Sequence, residues 1–394
     1  MKILWVNPNF LHPTNKGGQI RTLEMMRRLL RKGHAIHYAT FEAPPDQPEG
    51  PARAHEYSTR LHTFPHHVSS KRSPRFLLEL GAGLVSQMPV AISRYYSPRM
   101  EQELTALIQR ERFDVQICDF LVSAPHFASL SKAVLFQHNV ETMIWRRHRD
   151  TANGALRRYY FGLQAERMFR YEQKACQQSA KIVAVSEADA NTMRSMFGVT
   201  RVEHIGTGVD LDYFATGKHE PGADLVFVGS MDWMPNIDGM KWFVTEVLPL
   251  IRRRKPDCTL AIVGRAPNAE MQALVSNDPR IHLTGTVPDI RPYLWGSSVS
   301  IVPLRIGGGT RLKIYESMAA RIPVVSTAIG AEGLPVTDGG NIVLRDSPAA
   351  FAEGCLELLA DPAGRNRLAT AAWDFVAESF SWDQVTLDFE RKIT

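Results

Sequence analysis

The chain has 394 residues, 44% of them hydrophobic and 22% charged, which suits two domains of ordinary size with a core in each. The formal charge of +5 is uneven: residues 1–200 carry 27 Lys and Arg against 17 Asp and Glu, the remainder 19 against 24. No run approaches the roughly 18 apolar residues of a membrane span, and Cys118, Cys176, Cys258 and Cys355 stand apart with no Cys-x-x-Cys or Cys/His grouping, which excludes a zinc framework and predicts buried reduced thiols.

Met1–Asn7 reads as a strand entered without a signal-peptide core, so a cytoplasmic chain is expected. A glycine turn at Gly17-Gly18 follows, then a helix with Leu23, Met26, Leu29 and Leu30 on its apolar stripe, ended by Gly33. Strands are predicted at His34–Thr40, Val115–Phe120, Ala133–His138 and Lys181–Ser186, separated by helical stretches. This alternation predicts a doubly wound parallel sheet. Residues 43–75, rich in proline and histidine and weak in periodicity, are expected to form an excursion near the binding edge of that sheet.

Arginines gather at Arg27-Arg28, Arg31, Arg146-Arg147, Arg149 and Arg157-Arg158, with aromatics between the later ones. Without a helix-turn-helix, zinc or RNA-platform signature, this patch does not predict nucleic-acid binding. The alternatives are a solvated basic face or a surface for an anionic membrane or acceptor.

After a turn-rich linker at 206–223 the alternation resumes, with strands at Asp224–Gly229, Thr259–Val263, Ile281–Leu283, Ser298–Pro303, Pro323–Thr327 and Asn341–Leu344. Gly307-Gly308-Gly309-Thr310-Arg311-Leu312-Lys313 sits where the fourth of these strands gives way to a helix. Glycines admit close approach of an anion, the helix N-terminus offers unpaired N–H groups, and Arg311 and Lys313 add positive charge, so the turn reads as a diphosphate clamp. Glu316, further along, can accept hydrogen bonds from vicinal hydroxyls such as those of a ribose. The Walker and dinucleotide patterns do not fit.

Taken in order, Gly17-Gly18, Gly206-Thr207-Gly208-Val209-Asp210, Phe227-Val228-Gly229, Leu283-Thr284-Gly285-Thr286-Val287-Pro288-Asp289, Glu316-Ser317-Met318-Ala319-Ala320 and Pro323-Val324-Val325 resemble the family 4 nucleotide-sugar glycosyltransferases over nearly the whole length. The resemblance implies an α/β chain of GT-B architecture: two facing Rossmann-like doubly wound domains, an acceptor-binding one over 1–200 with helix 380–394 packing back on it, and a donor-binding one over 201–379. It implies a retaining transferase that moves a sugar from a nucleoside diphosphate to an acceptor hydroxyl in polysaccharide, glycolipid or glycoconjugate synthesis. A GT-B epimerase of UDP-N-acetyl sugars and a non-catalytic nucleotide-sugar-binding protein are the alternatives.

Two departures from the family pattern stand out. Of two glutamates eight positions apart, Glu316 fills the second place and Gly308 the first, so sugar contact shifts to the backbone of Gly307–Gly309. The cations that often follow Gly229 are replaced by Ser230-Met231-Asp232-Trp233-Met234-Pro235-Asn236, and Arg311, Lys313 and Arg265 are the substitutes. The resemblance puts His138 at the reacting sugar and Thr286 and Val287 at the nucleobase, with Gly17, Gly18, Gly229 and Thr310 as further donor contacts. Asn139, Glu141, Ser186 and Glu187 border the site; Ser186 reads equally well as a helix cap. The clamp's own cations can neutralise a leaving diphosphate, so no metal and no cofactor beyond the donor is expected. The expected partners are a nucleotide sugar, a sugar, lipid-linked or small-molecule acceptor and, through the basic half, the inner face of a membrane.

Overall fold

The computed structural model describes all residues except 15–16, 45–47, 71–72, 151, 153, 216, 218–221 and 307–311. The chain divides into two compact units, residues 1–206 with 385–394, and residues 207–384.

In the first unit β1 (Lys2–Val6), β2 (Ala35–Phe41), β3 (Arg60–Phe64), β4 (Val115–Asp119), β5 (Ala133–Gln137), β6 (Lys181–Ala184) and β7 (Val202–His204) form one sheet. Its order is β3-β2-β1-β4-β5-β6-β7 and every pairing is parallel. The central strands are mostly apolar, because helices cover both faces: all five residues of β5 are buried, Gln137 at its end among them. The order reverses between β1 and β4, where a doubly wound sheet opens a ligand crevice at the carboxyl ends of its strands. The helix Gly17–Arg31 buries Leu23, Met26 and Leu29, and Gly33 ends it at φ +86°, a left-handed turn that suits glycine.

Residues 43–75 depart from the sequence expectation, because β3 lies within them and pairs with β2 from His37↔Arg60 to Phe41↔Phe64. It is an edge strand with only Phe64 fully buried, and its polar Arg60, His62 and Thr63 erase the alternation that marks strands in sequence.

The second unit repeats the winding. Its strands β8 (Leu225–Val228), β9 (Leu260–Val263), β10 (Ile281–Leu283), β11 (Val299–Val302), β12 (Val324–Ser326) and β13 (Val343–Leu344) lie in the order β10-β9-β8-β11-β12-β13, again all parallel. Phe227, Ile262, Ile301 and Val325 form the core with Phe243 and Phe351. Each such side chain contributes about 1.5–3 kcal/mol by leaving water. The turns after β8 and β9 touch backbone to backbone. Gly229 N–H donates to the Val263 carbonyl at 2.9 Å, and a Cβ on Gly264 would overlap the Gly229 carbonyl oxygen.

The C-terminal helix Trp382–Ile393 starts in the second unit, where Trp382 packs on Gly208, and from Val385 onward belongs to the first. There Phe389 lies 5.7 Å from the Trp5 ring and 5.0 Å from that of Phe136, while Glu390 pairs with Lys32 and His34. All four cysteines are buried and unbridged. Among the described residues no helix is long and apolar enough to cross a membrane.

Candidate functional site

In the first unit the functional side chains gather at the β1/β4 reversal. His138, one residue past β5, is buried, and its Nε2 lies 2.8 Å from Asp119 Oδ1 at the end of β4. Asp119 Oδ2 accepts from Trp5 Nε1 (3.0 Å), Asn7 Nδ2 (2.8 Å) and Thr22 Oγ1 (3.0 Å). A carboxylate held by four donors takes the Nε2 proton as a hydrogen bond, which leaves His138 Nδ1 as an acceptor. Arg21 Nη1 stands 3.5 Å from that Nδ1, and burial lowers the Arg21 guanidinium to about 10 while Asp119 and Asp189 oppose the shift. Burial also lowers the His138 pKa, so the ring is neutral near pH 7.

The ring of His138 is locked from both sides. Phe120 stacks on it at 3.8 Å and 9°, with its own backbone at φ 63°, a strained value for a bulky residue. Gly18 presses against the same pair: a Cβ there would come 2.6 Å from Phe120 Cζ and 3.3 Å from His138 Nδ1. Gly17 is exposed with open space around it.

The loop after His138 is fixed from behind by Glu172, buried on the helix Ala155–Gln178. Its Oε1 accepts from Gln137 Nε2 (3.1 Å) and Glu141 N (2.9 Å), its Oε2 from Thr142 N (2.8 Å) and Thr142 Oγ1 (2.6 Å). The carboxyl thus caps the first turn of the helix Glu141–Asp150, although burial pushes it up to about 7. Glu141 opens that helix, and burial raises its carboxyl too, with an opposing hydrogen bond from Asn139. Ser186 is a cap: its Oγ accepts from Asp189 N at 3.1 Å, starting the helix Glu187–Phe197.

In the second unit Gly307, Gly308, Gly309, Thr310 and Arg311 lie outside the described residues. The helix Leu312–Ala319 that follows buries Ile314, Tyr315 and Met318 and turns Lys313 and Glu316 the other way. Lys313 Nζ reaches the end of β8, 2.8 Å from Asn236 Oδ1, 4.3 Å from the Phe227 ring centre and against Gly229. Asn236 is itself buried, its Nδ2 donating to the Ser230 carbonyl at 2.8 Å. The stretch that lacks the family's cations is therefore met by a cation from another element. Glu316 is half-buried, and desolvation pushes its carboxyl up to about 7 against the opposing charge of Lys313.

Arg265 is exposed after β9, and its Nε donates to Ser230 Oγ at 3.0 Å, which brings it to the edge that holds Gly229. Thr286 and Val287 follow β10, two strands from β8 or about 10 Å across the sheet. Thr286 is exposed, Val287 half-buried.

Sequence reasoning missed Asp119, Arg21, Phe120, Glu172 and the bridging part of Asn236. A carboxylate closing the apolar strand Val115-Gln116-Ile117-Cys118-Asp119 was a readable signal for the first of these.

Residues 15–213 match the family described as Glycosyltransferase Family 4, and residues 222–361 match the one described as Glycosyl transferases group 1. The chain belongs to the family 4 glycosyltransferases. This glycosyltransferase is 21% identical over 397 residues to an uncharacterized 44.6 kDa protein in the cps region of Klebsiella pneumoniae, covering 98% of this chain and 97% of that one. It is 26% identical over 225 residues to the GDP-mannose-dependent alpha-(1-6)-phosphatidylinositol monomannoside mannosyltransferase of Mycolicibacterium smegmatis, covering 51% of this chain and 58% of that protein. HepE of Anabaena, solved in complex with UDP, superposes with a TM-score of 0.67 at 12% identity, covering 99% of both chains. The family 4 assignment and this likeness give the two Rossmann-like domains of the GT-B class.

Proposed function

We propose that this glycosyltransferase binds a nucleoside-diphosphate sugar in its second unit and transfers the sugar, with retention, to an acceptor hydroxyl in polysaccharide, glycolipid or glycoconjugate synthesis. The observation that carries the donor reading is Lys313 Nζ held by Asn236 at the end of β8, with Glu316 one turn further along the same helix. An ammonium at the reversal of a doubly wound sheet suits a diphosphate, and a carboxyl near 7 is poised to accept from sugar or ribose hydroxyls. The UDP found with HepE and the GDP-mannose dependence of the mycobacterial relative support a nucleoside-diphosphate donor and leave the base to experiment.

In transfer the bond from the anomeric carbon to the diphosphate oxygen breaks as the acceptor oxygen bonds the same face of that carbon. The acceptor's hydroxyl proton passes to the departing phosphate oxygen. Negative charge grows on that phosphate, and Lys313, with Arg311 named by the sequence, is the preorganised counter-charge. No metal is invoked, since these cations perform the same neutralisation. His138, held by Asp119, presents Nδ1, which Arg21 approaches only at 3.5 Å, as the acceptor for a substrate hydroxyl; it orients and does not act as a nucleophile.

The test is release of nucleoside diphosphate from candidate UDP-, GDP-, ADP- and dTDP-sugars with and without acceptors, in the presence of a chelator, with the product anomer read by NMR. Acceptor-dependent release that survives the chelator and keeps the anomeric configuration is the expected result. Turnover of the sugar without an acceptor, giving a changed sugar, would instead support the epimerase. Donor binding with no turnover would leave a binding protein.

A further inference from the structure

Half of the exposed large apolar side chains among the described residues fall on two neighbouring helices of the first unit: Leu77, Leu78, Leu84, Val85, Leu156 and Tyr159. The helix Pro74–Val85 is turned opposite to an ordinary surface helix. Its inward face is Phe76 under the Arg94 guanidinium, Glu79 bound by Arg94 and Ser69, and Gly83, whose carbonyl takes hydrogen bonds from Gln164 and Arg167. Its outward face repeats at seven residues, Leu77 with Leu84 and Leu78 with Val85, and these four are 50% to 84% exposed.

The helix Ala155–Gln178 runs beside it in register, with Tyr160 Oη donating to the Leu80 carbonyl and Gln164 Nε2 to that of Gly83. The first turns of both helices therefore lie at one end. There Leu156 (87% exposed) and Tyr159 (70%) join Leu77 and Leu78, with exposed Arg157 and Arg158 between them and Arg75 alongside. Nearby acid is already engaged: Glu79 by Arg94 and Arg75, Glu166 by Arg170.

We infer that this face docks on an anionic lipid bilayer, the leucines entering the acyl boundary and the arginines meeting lipid phosphates. The Pro74–Val85 helix is 12 residues, about 18 Å long, too short to span ~30 Å of hydrocarbon, so it lies in the interface. A second copy fits less well, because a two-fold interface over this face would bury Arg157 and Arg158 from both copies, and the nearby Glu79 and Glu166 are already paired. The lipid-linked class of acceptor rests on the transfer reading above; the docking face does not.

The experiment is flotation of the full chain with phosphatidylcholine vesicles, with and without phosphatidylglycerol, comparing wild type, Leu77→Ser/Leu78→Ser and Arg157→Glu/Arg158→Glu. Donor-induced thermal shift is read on the same samples. Wild type should float with the anionic vesicles in a salt-sensitive way, and each double variant should lose at least about tenfold in partitioning while keeping its donor response. Wild type that stays off anionic vesicles, or variants that float equally well, would overturn the inference. So would a wild-type dimer that the leucine variant dissolves without any vesicle binding. Loss of the donor response with flotation intact would count against the transfer reading alone.

Discussion

Asp119 Oδ1 sits 2.8 Å from His138 Nε2, and the other oxygen of the same carboxylate accepts from Trp5, Asn7 and Thr22. One buried carboxylate thus ties together β1, the helix after it, β4 and the end of β5. The tautomer of His138 follows from the sheet's own architecture, and the acceptor it presents beside Gly18 is fixed before any substrate arrives.

Replacing His138 with alanine should lower kcat by about 100-fold with a smaller change in KM, as expected for a group that orients substrate. Asp119→Asn should cut activity similarly and also destabilise the fold by about 3 kcal/mol, since four buried donors lose a charged acceptor. Steady-state kinetics and denaturant unfolding separate the two effects. Equal kcat in His138→Ala and wild type would remove His138 from the mechanism.

Gly18→Ala should reduce activity and cost some stability, because its Cβ would come 2.6 Å from the Phe120 ring that stacks on His138 and 3.3 Å from His138 Nδ1 itself. Gly264→Ala, whose Cβ overlaps a backbone oxygen, should cost well over 2 kcal/mol or prevent folding. Thermal unfolding and activity of the two variants give the comparison; a fully active Gly18→Ala enzyme would contradict the crowding.

The buried histidines of the first unit should sensitise it to acid. His62 and His126 are lowered to about 4 and His138 is lowered too, chiefly by burial, so each holds fewer protons folded than unfolded. Their contribution is present above pH 6.5 and is lost as pH falls from there toward 4. Glu56, drawn down to about 2 by Arg53 and Arg27, adds a loss below pH 4.5. Glu172, raised to about 7 by burial, acts in the opposite sense as pH falls from 7 to 4.5, so the histidine share is read by difference: between pH 6.5 and 4 His126→Asn should lose less unfolding free energy than wild type.

Glu316 carries the opposite sign. Its carboxyl at about 7 keeps a proton in the fold that the unfolded chain gives up near 4.5, so this group destabilises progressively as pH rises from 4.5 to 7. Glu316→Gln should therefore be more stable than wild type at pH 8, by about 1–2 kcal/mol after allowance for its partial exposure. Donor affinity should move the other way, rising through pH 7 in wild type as the carboxylate forms and staying low and flat in Glu316→Gln. Titration calorimetry at pH 6 and 8 reads both proteins; a pH-independent wild type would remove the carboxylate from donor recognition.

The winding of both sheets was legible because buried parallel strands such as Val299-Ser300-Ile301-Val302 are short, wholly buried and largely β-branched, with proline directly after. β3 was not, since an edge strand buries too little to leave a pattern. At the site, the sequence marked residues by type and local spacing: Lys313 and Glu316 on one helix, His138 at a strand end. It was silent on partners far apart in the chain. Asn236 meets Lys313 across 77 residues and Glu172 meets Thr142 across 30, and neither pairing has a local signature. Phe120 was hidden for another reason, because its unusual φ goes with tertiary contacts, the stacking of its ring on His138 and the bond from its N–H to the Phe136 carbonyl.

The most direct measurement is a thermal-shift comparison of wild type, Lys313→Ala and Arg311→Ala against UDP-, GDP-, ADP- and dTDP-sugars at neutral pH. One nucleotide series at about 100 times its Kd should stabilise wild type by about 2.7 kcal/mol, and both variants should lose most of that gain. Stabilisation of all three proteins alike, or of none by any nucleotide sugar, would contradict a donor site built on Lys313.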